Sequence, residues 1–418
     1  MMLRFIHAAD LHLDSPFQGL AHLPANIRRQ VIQSTFQAFR RLVRFAIRQK
    51  VDFILLAGDV FDRQRSLRAQ LALKKELEIL AREQIAVYIV HGNHDPLQNH
   101  RYPVSWPDNV HVFGSEHVQR IPFYKQGQEV AAIYGISYPQ ARVTDNLAAL
   151  FQRETDVFSI AMLHTNCGAV SAHENYAPCT KEDLLRSGFD YWALGHVPTR
   201  RVVHEHPPIV YPGNTQGRHI REQGERGFYL VEVSETGRIR LAFQPASEIV
   251  WLEKTVDFSA VQDFADVVSL FESLRSQLRE KFMSRSVMLR CIGVGQTRLA
   301  AELSNPDVTA ELIRDWHLEE EDRQPFVWLE SFRFEGKPEY ERESLKKSGG
   351  IYAHLLQTAD RLMEDQALRA EVFRRELRPL LSHERARRFL ASWPEDEQKE
   401  IIRRAEALLL GAWLGGDE

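Results

Sequence analysis

The feature that most constrains the fold is an alternation of apolar strands and helices in the N-terminal part of the chain. Residues Leu3–Ala9, Phe53–Ala57 and Ala86–Val90 have the composition of short buried strands. Between them, Ile27–Arg48 and Leu67–Ala81 repeat apolar residues at helical spacing. Because parallel strands need a crossover connection, usually a helix, this order predicts a parallel sheet.

Each predicted strand ends in residues that bind metal ions or transfer protons. The clusters are Asp10 with His12, Asp59 with Asp62, the turn His91-Gly92-Asn93-His94-Asp95, His164 after the strand Val157–Leu163, and His196 after the strand Tyr191–Leu194. A turn of this type is ordinary turn chemistry when it stands alone. Ligand sites in open α/β sheets lie at the carboxyl ends of strands. The recurrence of these clusters at strand ends therefore predicts a functional site.

Later segments predict a second sheet. Short alternating strands with Gly and Pro turns extend from Val110 to Gly135, and further strands are predicted near Val202, Ile209, Phe228–Val233 and Ile239–Phe243. The predicted fold class is α/β, with two sheets face to face as a sandwich and helices outside.

At 418 residues, the chain is too long for one ordinary domain. The pattern changes near Pro245 to helix, strand, helix, strand, which predicts a small α+β module. From Ile351 onward the apolar spacing is helical. We predict three domains, namely residues 1–245, an α+β domain over 246–340 and a helical tail over 341–418.

The composition limits the classes of partner and compartment. With 53 basic and 57 acidic residues the net charge is −4, so contact with DNA requires a local patch or a bound metal. Three cysteines do not suggest a disulfide framework and fit a reducing cytosol. The N-terminus does not resemble a signal peptide, and no apolar run reaches the ~18 residues of a membrane span. We expect a cytoplasmic protein without a membrane partner.

The side chains at the strand ends form a set of hard and borderline metal ligands without cysteine. The predicted ligands are Asp10, His12, Asp59, Asn93, His164 and His196. This set suits Mn²⁺, Fe²⁺ or Zn²⁺. We expect Asp59, on the central strand, to bridge two ions about 3.5–4 Å apart, as in two-metal phosphoryl hydrolysis. His94 lies outside the ligand set and is predicted to protonate the leaving oxygen, oriented by Asp95 or Asp62.

In this order, Asp10-X-His12, Gly58-Asp59-X-X-Asp62, Gly92-Asn93-His94-Asp95, His164 and Gly195-His196 resemble the motifs of the calcineurin-like metallophosphoesterase superfamily. The forms Ala9–Asp14 and Gly58–Asp62 are similar to its DNA-repair exonuclease branch, which contains SbcD-like and YhaO-like proteins. The resemblance extends over residues 1–245. It implies a cap domain after the catalytic core and an SMC-like coiled-coil ATPase bound through helices beyond the cap.

The last motif departs from the family pattern. The family has Gly-His-X-His, but this chain has Gly195-His196-Val197-Pro198. The resemblance assigns Asp10, His12, Asp59 and the missing histidine to one metal, and Asp59, Asn93, His164 and His196 to the other. Proline has no ligating side chain. The first site should therefore be weakened, or completed by water, a carbonyl, His204 or His206.

The resulting hypothesis is a metal-dependent DNA nuclease of DNA repair, expected to be an exonuclease using two Mn²⁺. Two alternatives stay open, which are a small-molecule phosphodiesterase or phosphatase and a weakly active scaffold for an ATPase. The predicted DNA contacts are Arg200, Arg201, Arg218 and Arg221. The family also suggests a homodimer through helices near Leu67–Ala81. The apolar stripes of the tail pack either on the cap domain or on the coiled coil.

Overall fold

The structure is a computed structural model that describes residues 2–17, 23–62, 66–99, 104–168, 176–339, 342–376 and 394–414. The chain divides into two compact units. The first comprises Met1–Leu252, Lys281–Leu289 and Glu319–Trp328, and the second comprises Glu253–Glu280, Arg290–Leu318 and Leu329–Glu418. The division of the second unit into a cap and a tail stays a prediction.

The described elements up to Asp257 alternate between strand and helix as far as Val90, as predicted, and strands predominate after it. They are β1 (Leu3–Ala8), α1 (Ala25–Gln49), β2 (Phe53–Ala57), α2 (Leu67–Arg82), β3 (Ala86–Val90), β4 (Val110–Val112), β5 (Gln119–Lys125), β6 (Gln128–Gly135), β7 (Phe158–His164), α3 (Lys181–Arg186), β8 (Tyr191–Gly195), β9 (Arg201–Glu205), β10 (Pro208–Tyr211), β11 (Gly227–Val233), β12 (Ile239–Pro245) and β13 (Ile249–Asp257).

Helices are more frequent in the remainder of the chain. Its described elements are α4 (Phe264–Phe282), β14 (Ser286–Val294), β15 (Gln296–Thr297), α5 (Ala300–Ser304), α6 (Pro306–Glu320), β16 (Val327–Phe334), β17 (Lys337–Pro338), α7 (Arg342–Lys347), α8 (Gly350–Glu364), α9 (Gln366–Glu376) and α10 (Glu395–Leu414). Strands β13, β14 and β16 form a three-stranded sheet in the order β13-β14-β16.

Two six-stranded sheets form the core of the first unit. Their strand orders are β12-β11-β1-β2-β3-β4 and β5-β6-β7-β8-β10-β9. In the first sheet β1 to β4 are parallel, and β11 and β12 add antiparallel strands at one side. In the second sheet β6, β7, β8 and β10 are parallel, with antiparallel edge strands β5 and β9. The predicted parallel core is confirmed.

Apolar side chains from both sheets share one buried cluster. Phe5 and Phe53 of the first sheet belong to it together with Met162, Tyr191 and Val210 of the second. The rings of Phe5 and Tyr191 have centroids 5.4 Å apart and meet edge to face. Burying one such large apolar side chain contributes about 1.5–3 kcal/mol. This shared cluster confirms the predicted two-sheet sandwich.

Helices cover the outer faces of the sandwich. Helix α1 buries a stripe that includes Phe36, Phe39 and Leu42, and this stripe packs with β1 and β2 in a second cluster. Helix α2 begins after Ser66, whose hydroxyl accepts a hydrogen bond from the backbone N–H of Ala69. Its inward face packs in the same cluster. These helices hold the strand ends that position the site.

The second unit has its own apolar packing. Phe271 of α4 meets Trp316 of α6 at a centroid distance of 5.4 Å and Phe332 of β16 at 5.2 Å. In the helical part, the guanidinium of Arg342 binds Glu406 at 2.9 Å and Asp360 at 2.6 Å. Among the described helices, none combines the length and apolar character that crossing a lipid bilayer requires.

Candidate metal centre and the surrounding cavity

The carboxyl ends of β1 and β2 bring the first predicted ligands together. These strands are parallel neighbours, so their chains leave the sheet at the same edge. Beyond the strands, the N–H of Asp10 donates to the carbonyl of Gly58, and the N–H of His12 donates to the carbonyl of Asp59, both at 3.0 Å. The strand pairing thus continues into the motifs and places Asp10 and His12 beside Asp59.

The facing sheet contributes two histidines. His164 ends β7 and His196 follows β8, and their ring centroids are 5.2 Å apart. The Nδ1 of His164 lies 3.1 Å from the carbonyl oxygen of Ala57, and its Nε2 lies 3.0 Å from Asn93 Oδ1. A carbonyl that accepts from Nδ1 leaves Nε2 as the ligand atom. The N–H of His196 donates to Asp10 Oδ1 at 3.1 Å.

Close approach explains the glycines of the motifs. A Cβ added to Gly92 would lie 2.4 Å from Asp59 Oδ1 and 2.8 Å from the His164 ring. A Cβ added to Gly195 would lie 1.7 Å from the carbonyl oxygen of Ala57. Neither distance is compatible with non-bonded contact. Glycine is therefore required here so that the two sheets can bring their polar side chains together.

Several predicted ligands have left-handed backbone conformations. The φ angles are 51° at Asp10, 43° at His12, 48° at Asp59 and 103° at His196. Such conformations cost on the order of 1–3 kcal/mol for a non-glycine residue and concentrate at functional sites. The hydrogen bonds of the motif backbones hold them in place. The strained backbone conformations thus occur at residues that the sequence predicted to bind metal.

Asp59 lies at the centre of the cluster. Its Oδ1 accepts from the N–H of His94 at 2.9 Å, and its Oδ2 is 3.4 Å from His164 Nε2 and 3.9 Å from His12 Nε2. Ligand atoms of His12, Asp59 and His94 lie within 4.8 Å of one another, as do those of Asp10, Asp59 and His164. Asp59 belongs to both groups, the position expected of a bridging carboxylate.

Burial and mutual proximity shift the pKa values of these groups. Burial raises the pKa of Asp10 to about 6, and the negative charge of Asp59 adds to this rise. Burial alone would raise the pKa of Asp59, but His164 and His12 outweigh it and the pKa is lowered. Burial would lower the pKa of His164, but Asp59 outweighs it and raises the value to about 9. A metal cation would therefore compete with protons for binding to Asp10 and His164.

His94 lies at the edge of this cluster. Its side chain is 42% exposed, and its Nδ1 is 3.4 Å from Asp62 Oδ1. Asp62 Oδ1 is also 3.1 Å from His12 Nδ1. Although burial lowers the pKa of His94, hydrogen bonding to Asp62 and the charge of Asp59 raise it to about 9. His94 is thus protonated near neutral pH, as a proton donor must be.

The structure distinguishes the two carboxylates that the sequence offered as partners of His94. Asp62 contacts His94, whereas Asp95 is fully buried and binds elsewhere. The Asp95 carboxylate is 2.9 Å from His91 Nδ1 and accepts from the N–H groups of Val60 and Gly92 at 2.9 and 2.8 Å. Asp62 is therefore the carboxylate that contacts His94, whereas Asp95 binds backbone N–H groups of the motifs.

The cluster opens into a cavity of about 580 Å³. Besides predicted ligands and His94, the wall comprises Tyr176, Pro198, Thr199, Arg218, His219, Arg221 and Glu222. The wall therefore combines acidic and imidazole groups with guanidinium groups. A phosphate ester matches this arrangement, since its anionic oxygens suit both cations and arginine.

Arg218 is the most firmly held arginine of the cavity. Its Nη2 is 2.8 Å from Glu222 Oε1, and its Nη1 is 3.3 Å from Asp62 Oδ1. Glu222 also accepts from the amide of Asn214 at 2.8 Å. Arg218 is thereby oriented by two carboxylates, one of which also binds His12.

The other predicted DNA contacts lie on more open surface. Arg221 is exposed and lines the cavity. The guanidinium of Arg200 stacks over the Phe243 ring at 4.0 Å, and Arg201 is exposed at the start of β9. Neither Arg200 nor Arg201 contributes to the cavity wall. Their contact with DNA stays a prediction.

Pro198 is the residue at which this sequence departs from the family motif. Pro198 lines the cavity, and its carbonyl accepts from the N–H of Asn214 at 3.1 Å. The two histidines considered as replacements are not at this wall. His204 Nδ1 is 2.8 Å from the carbonyl oxygen of Pro207, and His206 lines a separate cavity. The expected rescue by His204 or His206 is thus not supported by their placement.

Sequence reasoning missed three residues of the cavity wall, Tyr176, Thr199 and Glu222. Glu222 orients Arg218. In the sequence, Glu222 is marked only by a charge opposite to that of Arg218 four residues earlier, and this spacing predicts a contact only within a helix. Tyr176 places its ring 5.6 Å from that of His196 and lines the cavity. Tyr176 lies in a segment without periodicity, so no sequence pattern indicated it.

Comparison with protein families agrees with this geometry. The family described as "Calcineurin-like phosphoesterase" matches residues 3–200. The family described as "Metallophosphoesterase YhaO, middle domain" matches residues 251–337.

Individual relatives cover different shares of the chain. An "Uncharacterized metallophosphoesterase YhaO" of Bacillus subtilis is 40% identical over 411 residues, covering 97% of each chain. The "DNA double-strand break repair protein Mre11" of Sulfurisphaera tokodaii is 29% identical over 209 residues, covering 48% of this chain and 50% of the relative. The Mre11 protein of Methanopyrus kandleri is 25% identical, covering 60% of this chain and 57% of the relative.

Proposed function

Because this chain belongs to the calcineurin-like metallophosphoesterase family and to its YhaO-like branch, we propose that it is a metal-dependent nuclease that hydrolyses phosphodiester bonds of DNA. The observation that carries the proposal is the position of Asp59 in two ligand groups at the base of an open cavity with arginines in its wall. We also propose that it acts as an exonuclease in DNA repair, and the similarity to DNA double-strand break repair proteins supports the repair role.

The residues present fit a divalent metal centre. The donors are carboxylate, amide and imidazole groups, and two of the carboxylates, Asp10 and Asp59, are buried beside each other. This chemistry suits Mn²⁺, which we propose as the native ion. One site would use Asp10, His12 and Asp59, and the other Asp59, Asn93, His164 and His196. A bound divalent cation supplies Lewis acidity and makes a water more acidic.

The chain's own residues then position and protonate the substrate. Arg218, held by Glu222 and Asp62, would bind a non-bridging phosphate oxygen. His94 would donate its proton to the leaving oxygen, while Asp62 keeps the imidazolium oriented toward the cavity. The tight hydrogen bonds of the motif backbones keep these groups pre-positioned, so little reorganisation accompanies the reaction.

The substrate class is tested by a direct comparison. The purified chain should cleave end-labelled linear DNA with Mn²⁺ and release nucleotides progressively from an end. A small diester such as bis(p-nitrophenyl) phosphate should be a much poorer substrate, because it cannot reach the exposed arginines outside the cavity wall. Efficient turnover of the small diester with intact DNA would instead identify a small-molecule phosphodiesterase.

Pro198 favours a second candidate, a weakly active scaffold. It lines the cavity where the family has a metal-binding histidine, so one of the two metals lacks a ligand. A Pro198→His variant separates the two functions. If wild-type protein is inactive and Pro198→His gains Mn²⁺-dependent cleavage, the scaffold is the correct function. Comparable cleavage by both proteins supports the nuclease.

We also propose two protein partners. The second unit has an apolar groove of about 380 Å³ between its helices, lined by residues that include Leu355, Leu362, Phe373 and Ile402. We propose that this groove binds an SMC-like coiled-coil ATPase, because an amphipathic helix fits such a surface.

Helix α2 exposes Leu67 and Leu71 on one face, and we propose that this face forms a homodimer. A monomeric wild type in light scattering would refute the dimer.

A further inference from the structure

Two of the three cysteines lie side by side near the end of β7. Cys167 and Cys179 are partners in an isolated parallel β-bridge. The N–H of Cys179 donates to the carbonyl of Asn166 at 3.2 Å, and the N–H of Gly168 donates to the carbonyl of Cys179 at 3.0 Å. Both residues are free cysteines.

This arrangement meets the geometric requirement for a disulfide. A disulfide requires Cα atoms about 4.4–6.8 Å apart. Neighbouring strands lie about 4.7–4.9 Å apart, and bridge partners project their side chains to the same face. Because Cys167 and Cys179 are partners in such a bridge, the spacing of their backbones falls within the range that a disulfide requires. The third cysteine, Cys291, is buried on β14.

The two sulfurs differ in chemical character. The hydrogen bond from Cys179 lowers the pKa of the Cys167 thiol. The same bond, together with burial, raises the pKa of Cys179. Thr165 Oγ1 lies 3.3 Å from Cys179 Sγ and keeps that side chain in place. Since the thiolate is the nucleophile, Cys167 is the sulfur that reacts first.

The pair lies just beneath the surface. Cys167 is 3% exposed and Cys179 is 6% exposed. The next residue in each case, Gly168 and Thr180, is exposed. A small oxidant therefore has only a short distance to travel, whereas a protein thiol from a second molecule cannot make the approach that disulfide exchange requires.

We propose that Cys167 and Cys179 form a reversible intramolecular disulfide when the protein meets hydrogen peroxide. The Cys167 thiolate attacks one peroxide oxygen, the O–O bond breaks, and the products are a sulfenic acid and hydroxide, which takes up a proton to become water. The Cys179 sulfur then attacks the Cys167 sulfur, and the S–O bond breaks. The thiol proton leaves with that hydroxide as a second water. Two thiols are oxidised by two electrons, and one peroxide is reduced.

The location connects this pair to the wall of the cavity. Cys167 follows His164 by three residues, and Cys179 follows Tyr176 by three. Tyr211 already links the strand end, since its hydroxyl accepts from the N–H of Cys167 at 2.9 Å and donates to the carbonyl of Thr165 at 2.8 Å. The disulfide would add a covalent link between segments that pack together. It would protect Cys167 from irreversible oxidation without displacing His164.

The test uses the full chain and mass spectrometry. Protein treated with hydrogen peroxide and then alkylated under denaturing conditions should carry one alkyl group, on Cys291. Its mass before alkylation should fall by two hydrogens, and a peptide pair should link Cys167 to Cys179. Dithiothreitol should restore all three thiols. Three alkylatable cysteines after peroxide, or a disulfide between two chains, would overturn the proposal.

Variants that replace one cysteine at a time distinguish the roles of the sulfurs. In Cys179→Ser, Cys167 has no partner and should gain two or three oxygens that dithiothreitol does not remove. In Cys167→Ser, no disulfide should form within the chain, because Cys179 then has no neighbouring sulfur. Cys291→Ser is the matched control and should form the disulfide as the wild type does. Equal oxygen uptake in the wild type and Cys179→Ser would contradict the pairing.

Discussion

The residues of the site come from two kinds of backbone, which we call the strand side and the loop side. On one side His164 and His196 stand at the ends of parallel strands, where Asn93, Asp10 and backbone carbonyls hold them. On the other side Pro198 and Arg218 belong to connections outside the strands. The strand side supplies metal donors, and the loop side supplies a guanidinium and a proline. The difference shows that strand ends position ligands, while loop contacts position the groups that meet substrate.

The largest effect should follow removal of the group common to both ligand sets. Asp59→Asn keeps the shape of the side chain but removes the charge that faces His12 and His164. Losing several kcal/mol of transition-state stabilisation, at about 1.36 kcal/mol per factor of ten, reduces turnover by at least about 10³-fold. Steady-state hydrolysis measures it. The exposed Asp145→Asn serves as the matched control and should be unchanged. Activity of Asp59→Asn near the wild-type level would remove Asp59 from the centre.

The next effect separates proton transfer from metal binding. His94→Gln should lower kcat by about 10²- to 10⁴-fold, the range for loss of a general acid. Mn²⁺ affinity, measured by calorimetry, should be nearly unchanged if His94 lies outside the ligand set. The wild-type activity should fall as pH rises through about 9, because His94 then loses its proton. A large loss of Mn²⁺ affinity would instead make His94 a ligand, which its distance to His12 and Asp59 permits.

Metal affinity should depend on pH with a definite sign. Asp10, with a pKa of about 6, must be ionised to bind, and His164, with a pKa of about 9, must be neutral. Mn²⁺ affinity should therefore rise by about tenfold per pH unit between 6 and 9, where His164 releases its proton, and more steeply below 6, where Asp10 releases one as well. Calorimetry in buffers of different ionisation enthalpy counts the protons. Asp10→Asn should flatten the low-pH part of the curve. Affinity that is independent of pH would refute the assignment of these ligands.

The smallest effect is expected on the side of the cavity formed by loops. Arg218→Ala should raise KM by about 10- to 100-fold, since a charge-assisted hydrogen bond contributes about 1.5–3 kcal/mol. Arg142→Ala, an exposed arginine outside the cavity, is the control. Glu222→Gln should reproduce part of the loss because Glu222 orients Arg218. If Arg218→Ala binds substrate as tightly as the wild type, phosphate contact does not occur at this residue.

The sequence predicted the strand side of the cavity well because hydrophobic periodicity and turn glycines are local signals. The periodicity located β1, β2, β3, β7 and β8, and parallel pairing then required their carboxyl ends to meet. Asp62 and Asp95 show where this reasoning stops. Both follow strand ends, but only the fold reveals that Asp95 binds His91 and that Asp62 binds His94.

The loop side was not predictable for a physical reason. Arg218 is oriented by Asp62, which lies 156 residues away in the sequence. The pairing of Cys167 with Cys179 likewise depends on a single β-bridge outside the strands. Neither contact produces a periodic pattern in the sequence, because each is made by loops that return to the edge of a sheet.

The central claim, that cations held around Asp59 hydrolyse DNA, is tested by metal removal and return. The wild-type chain dialysed against EDTA should not cleave labelled linear DNA, and Mn²⁺ should restore cleavage. Asp59→Asn treated in the same way should remain inactive after Mn²⁺ is added. Cleavage that persists in EDTA, or that Mn²⁺ restores in Asp59→Asn as fully as in the wild type, would contradict the account.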